Sequence, residues 1–155
     1  MASSDQEAFR GLAVELRILE GTAEELQGRL GLVTATLRDL NISRMTVEGV
    51  ETENPDASLY VPVGGGSFIK ARLESNDKVI IGIGAGVSIE RSLTEAKQII
   101  QNRISEIEKN RESIQQQLIQ IANRIQVDRD RLEELSAKLS QVVRRPSVPE
   151  AERRP

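Results

Sequence analysis

The chain has 155 residues and a mass of 17.1 kDa, enough for one ordinary domain or for an elongated object with little interior. Its 21 basic and 24 acidic side chains leave a net charge of −3, no electrostatic footprint for a nucleic-acid partner. Histidine, cysteine and tryptophan are absent, which excludes disulfides, Cys/His metal centres, Ser-His-Asp triads and Cys-His nucleophile pairs.

Prolines stand only at Pro55, Pro62, Pro146, Pro149 and Pro155, and proline breaks helix interiors. Two long proline-free stretches are therefore where long helices fit. The first, expected as a helix over residues 1–48, carries a strict heptad. Phe9, Leu16, Ala23, Leu30 and Leu37 recur every seven residues, and Leu12, Leu19, Leu26, Val33 and Leu40 follow three later. Such a run indicates a coiled coil rather than an ordinary amphipathic helix. Gly11, Gly21, Gly28 and Gly31 each cost about 1 kcal/mol relative to alanine. This helix needs its partner.

Over residues 57–88 the period changes from 3.5 to 2. Leu59, Val61 and Val63 alternate with Tyr60 and Pro62, and Ile69, Ala71 and Leu73 alternate with Phe68, Lys70 and Arg72. Val79, Ile81 and Ile83 lead into a glycine stretch, and Val87 with Ile89 forms a short fourth run. Breaks at Gly64-Gly65-Gly66, at residues 74–77 and at Gly84-Ala85-Gly86 divide the segment into two β-hairpins. A straight third strand would put Gly82, Gly84 and Gly86 on one bare face, open to close backbone approach. Pro62, which cannot donate to a ladder, belongs at a strand end or outer edge. Two hairpins cannot hide their apolar face or their edges alone. The module is expected to assemble with other chains.

The second helix is expected over residues 90–143. Leu93, Ile100, Ile107, Ile114, Ile121, Leu135 and Val142 hold one seam position, and Ile104, Leu118, Ile125, Leu132 and Leu139 hold the other. Lys97, Arg111 and Asp128 interrupt the pattern, and Ser88 and Ser92 are candidate caps. Residues 144–155, rich in proline and charge, are expected to be disordered. The fold class is α+β, mostly α: a long antiparallel intramolecular coiled-coil hairpin with two central β-hairpins.

Several motifs are decoys. Gly82-Ile83-Gly84-Ala85-Gly86 suggests a dinucleotide loop, but Val87 stands where the fingerprint needs glycine and there is no βαβ pattern. Gly64-Gly65-Gly66-Ser67 lacks the Gly-Lys-Ser/Thr of a phosphate loop. Carboxylate pairs such as Glu24-Glu25 and Glu133-Glu134 lie on solvated helix faces, where nothing perturbs them for acid–base work. No enzymatic activity, cofactor or metal is expected. No apolar run reaches the ~18 residues of a membrane span, and the first fifteen residues lack the order of a signal peptide. A cytoplasmic protein with no nucleic-acid or membrane partner is expected.

The middle segment is specific. Val61-Pro62-Val63-Gly64-Gly65-Gly66-Ser67-Phe68-Ile69-Lys70-Ala71, followed by Asp77-Lys78-Val79-Ile80-Ile81-Gly82-Ile83-Gly84-Ala85-Gly86-Val87, resembles the double hairpin of the archaeal prefoldin α-type subunit. The flanking heptads have the matching length and order. The resemblance implies an ATP-independent hexameric chaperone of two α-type and four β-type subunits. Its hairpins would form an intersubunit β-barrel platform from which coiled coils hang. Their tips would hold unfolded proteins and pass them to a group II chaperonin. The oligomerisation residues would be Leu59, Val61, Val63, Phe68, Ile69, Val79, Ile81, Ile83, Gly82, Gly84 and Gly86. The competing reading is a structural coiled-coil tether without clients.

Helix ends near residues 47 and 90 set an antiparallel register. It places Lys97 opposite Asp39, Arg111 opposite Glu25 and Asp128 near Arg10, three expected interhelical pairs. The first helix, starting near Gln6, would then leave Leu135, Leu139, Val142 and Val143 beyond its end with a bare seam. With Leu132, and with Phe9 and Leu12 at the frayed start, these form the expected client-binding tip.

Overall fold

The computed structural model describes residues 2–143, and the tail at 144–155 lies outside them. In chain order the elements are α1 (Ala2–Thr52), β1 (Ser58–Gly64), β2 (Ser67–Arg72), β3 (Lys78–Gly84), β4 (Val87–Ser92) and α2 (Leu93–Val143). Two long helices thus flank two antiparallel two-stranded sheets, β1-β2 and β3-β4. The chain forms two compact units: a helical unit of residues 2–30 and 113–143, and a hairpin unit, Gly31–Glu112.

In the hairpin unit α1 passes residue 48 because Val47 and Val50 carry its apolar stripe into the core. It ends at a turn in which the Ala57 N–H donates to the Asn54 carbonyl at 3.1 Å. Pro55 and the positive φ of Asp56 (66°) make this a type II turn. The Asn76 side-chain amide donates to the Glu53 carbonyl at 2.8 Å, satisfying one of the acceptors a helix end leaves open.

The fourth strand runs to Ser92 rather than stopping near 89, because β3 starts at Lys78 and Lys78 pairs with Ser92. That pairing also moves the start of α2 from 90 to Leu93. Ser92 and Glu95 close a capping box there. The Glu95 N–H donates to the Ser92 hydroxyl oxygen at 3.3 Å, and the Ser92 N–H donates back to the Glu95 carboxylate at 3.1 Å. The Ser92 hydroxyl, and then its backbone N–H, hold the Glu95 carboxyl below its ordinary value of 4.5.

The second hairpin repeats the first. Each has a seven-residue strand, a two-residue turn and a six-residue strand. Each also carries a bulge just before the turn, between Pro62 and Gly64 and between Gly82 and Gly84. Both central turn residues have positive φ, Gly65 and Gly66 in one hairpin, Ala85 (49°) and Gly86 (75°) in the other. These are type I′ turns, whose twist matches that of the strands. The third strand therefore does not run straight. Gly84 and Gly86 serve the turn, and only Gly82 keeps a bare strand position.

The core of this unit joins Leu37 and Val47 of α1, Ile81 of β3, and Leu93, Ala96, Ile100 and Ile104 of α2. Ala96 is wholly buried, its methyl small enough for helix and hairpin to close over it. Lys97 reaches Glu51 at 2.6 Å, not Asp39 as expected. Arg111 keeps its Nε buried without a hydrogen-bond partner.

In the helical unit Leu26 and Ile114 are buried, and the antiparallel alignment is set by two ion pairs, Arg124–Glu15 at 2.8 Å and Arg129–Glu20 at 2.6 Å. Leu26 shares a shallow groove with Gln117, Gln120 and Ile121, whereas the expected register put it beside Arg111. The helices are offset by about one heptad from that register. Glu25 pairs with Arg29 of its own helix at 2.7 Å, and Asp128 pairs with Arg124 at 3.1 Å instead of Arg10.

Candidate assembly and polypeptide-binding surfaces

Cross-strand pairing decides which side chains hairpin 1 presents together. Val61 pairs with Ile69 on one face, and Pro62 with Phe68 on the other. Phe68 is 60% exposed, and Val61, Val63 and Ile69 are also exposed, while Leu59 is half-buried. No residue of this hairpin belongs to the core cluster. Each strand bonds to a single neighbour, so every strand, including β1 with Pro62, is an edge among the described residues.

Hairpin 2 is different. Ile81, at 7% exposure, is part of this chain's own core, and Val79 packs against it. These two expected interface residues are already occupied. Ile83 remains exposed, and at Gly82 an added Cβ would meet only the Ser88 hydroxyl at 3.9 Å. Tyr60, Ile80 and Val87 are also exposed, Ile80 at 73%. Sequence reasoning left Tyr60 in the outward half of the alternation, counted Val87 only in the short fourth run and gave Ile80 no role, although their own apolarity marked both faces of each hairpin as needing cover.

In the helical unit Phe9, Leu12, Leu132, Leu135 and Leu139 are half-buried. They do not form a bare overhang. α1 begins at Ala2, and the one-heptad offset brings its start level with the end of α2. The side chains of Val142 and Val143 lie outside the described residues. Four aliphatic side chains outside the heptad seam are exposed here: Val14, Ile18, Ile119 and Val127. A seam count could not find them, because they lie on the outer positions. Arg124 links the helices, its guanidinium held protonated above its ordinary range first by the hydrogen bond to Glu15 and then by that to Asp128. Among the described residues no acidic cluster is placed to hold a metal ion, and no helix is long and apolar enough to cross a membrane.

The prefoldin subunit family model matches residues 19–142. Prefoldin subunit alpha of Methanococcoides burtonii is 30% identical over 125 residues, covering 81% of this chain and 91% of that protein. The prefoldin subunit alpha of Archaeoglobus fulgidus is 34% identical over 127 residues, covering 80% and 92%. Among solved structures, filamentous PFD from Methanocaldococcus jannaschii matches with a TM-score of 0.64 at 25% identity, covering 72% of this chain and 92% of that one. Helix, hairpin pair and helix follow one another as the family requires, and the chain belongs to the prefoldin family.

Proposed function

We propose that this chain is the α-type subunit of a cytoplasmic, ATP-independent chaperone. It joins β-type partner subunits through its hairpins, two α-type chains with four β-type, and holds non-native polypeptide at its helical unit for delivery to a group II chaperonin. The observation that carries this reading is the hairpin pair, with free edges and with exposed apolar residues on both faces. Covering Phe68 and Ile80 contributes roughly 1.5–3 kcal/mol each, and edge pairing satisfies the free backbone groups. Holding at the helical unit is supported by the exposed Val14, Ile18, Ile119 and Val127 beside the half-buried Phe9, Leu12, Leu132, Leu135 and Leu139. Weak contacts from several subunits add through multivalency and need no sequence recognition.

Native mass spectrometry with and without a β-type chain tests the assembly, with a two-plus-four complex as the expected result. Suppression of aggregation of a denatured enzyme, without nucleotide, tests the holding. A complex of the right mass that suppresses nothing would leave a structural tether. That second reading is favoured by one observation, the level helix ends, which keep the seam half-covered instead of bare.

A further inference from the structure

Opposite its seam, α1 of the helical unit carries Val14 and Ile18, 60% and 63% exposed. Gly11 and Gly21 stand about one turn to either side, and a Cβ added at either would meet nothing within 4 Å. Glu7, Arg10, Arg17 and Glu24 share this face, which takes up about a third of the helix circumference. All four are exposed and make no ion pair among the described residues. The end of α2 is level with the start of α1, so the twelve residues that follow Val143 begin at the foot of this face.

Those twelve residues include Pro146, Pro149 and Pro155, and a proline-rich segment favours the polyproline II helix, with about three residues per turn. That period puts Arg145, Val148, Ala151 and Arg154 on one side. At about 3.1 Å per residue, Val148, Ala151 and Arg154 would lie about 9, 19 and 28 Å beyond Arg145. On α1, at about 1.5 Å per residue, Val14, Ile18, Gly21 and Glu24 lie about 10, 16, 21 and 26 Å beyond Glu7. Charge, apolar bulk and charge again thus recur in the same order at matching distances. We propose that residues 144–155 fold back along this face as a polyproline II strap. Arg145 would pair with Glu7, Val148 would cover Val14, Ala151 would fill the notch between Ile18 and Gly21, and Arg154 would pair with Glu24. Glu150 and Arg17 would meet at the same height, each about 15 Å along. The Ser147 hydroxyl would accept from Arg10. The strap would also compete with non-native polypeptide for Val14 and Ile18, a consequence that rests on the holding proposed above.

The chain has no cysteine, so thiol pairs can be introduced without competition. The full chain is assembled with a cysteine-free β-type partner and oxidised. Gly21→Cys with Ala151→Cys should close an intramolecular disulfide at least about tenfold faster than Gly11→Cys with Ala151→Cys, since the bond forms only between closely placed residues. An unattached tail would favour Gly11 instead, which lies nearer to its root. Glu7→Arg with Glu24→Arg should erase the preference for Gly21, and adding Arg145→Glu with Arg154→Glu should restore it. Equal rates at the two glycines, faster closure at Gly11, or disulfides that join two copies of the chain would overturn the proposal. So would a preference that survives the charge reversal on α1, or one that the reversal on the tail fails to restore. Removing residues 144–155 should raise aggregation suppression severalfold. Unchanged suppression beside an intact preference for Gly21 would overturn the competition and place clients away from Val14 and Ile18, while the strap itself stands.

Discussion

Asp128, only 2% exposed at a seam position of α2, accepts the Arg124 guanidinium at 3.1 Å, and the same guanidinium donates to Glu15 of α1 at 2.8 Å. One arginine thus neutralises a carboxylate inside the seam and bridges the two helices outside it. Breaking a buried pair from one side costs more than replacing it whole, because the survivor stays desolvated and unpaired. Arg124→Ala should therefore lower the melting temperature more than Glu15→Ala. Asp128→Leu, which leaves an apolar seam, should be neutral or raise it. Thermal unfolding followed by circular dichroism separates these outcomes, and equal losses for Arg124→Ala and Glu15→Ala would show that Asp128 needs no partner.

Ala85 sits at φ 49° in the second hairpin turn, where the first hairpin has Gly65 at 57°. A left-handed conformation costs an L-residue roughly 1–2 kcal/mol, while glycine adds freedom to the unfolded chain that opposes the gain. Ala85→Gly should stabilise the protein by about 0.5–1 kcal/mol, and Gly65→Ala should destabilise it. Denaturant midpoints measured at constant slope check both.

The capping box at the start of α2 makes stability depend on pH. Glu95 is held below 4.5 by the Ser92 hydroxyl and N–H, so its contribution is present above that value and is lost as pH falls through the folded value. Ser92→Ala should cost about 1 kcal/mol at neutral pH. The gap between variant and parent should narrow below pH 4.5, and a gap that stays constant down to about pH 3 would remove Glu95 from the account.

Replacing Val14, Ile18 and Val127 together by serine removes exposed apolar surface without touching the seam. Folding stability should change by no more than about 0.5 kcal/mol per site, and the mass of the complex should stay the same. Aggregation suppression should fall severalfold. Undiminished holding would move the client contact away from the outer faces of the helical unit.

Much of the architecture is legible in the heptads, and the reasons for the errors are specific. Leu26, Leu37, Ile100 and Ile104 were assigned to the seam and are buried. A seven-residue repeat is degenerate under a seven-residue slip, so only the helix ends could set the register. Those ends lie at Thr52 and Leu93 rather than 47 and 90, displacements that together move the alignment by about a heptad and abolish all three expected ion pairs. The Ser92-to-Glu95 spacing is a capping signature in the sequence itself, and reading it would have corrected one end. For the hairpins, alternation located the strands but not the division of labour between them. Nothing local marks Ile81 as internal and Ile69 as exposed; the packing of β3 against Ala96 and Leu93 decides it.

That division has a consequence for the unassembled chain. Hairpin 2 is anchored by Ile81, but hairpin 1 contributes nothing to the core cluster and has little to lose by opening. Local opening free energies follow such contacts. Amides of β1 and β2 should therefore exchange with solvent long before those of β3 in a subunit that has found no partners. The glycine tip at residues 64–66 becomes the point where a protease can enter. Assembly through the hairpins, as proposed, would cover that tip, so limited proteolysis should cut the unassembled chain there and spare the completed complex.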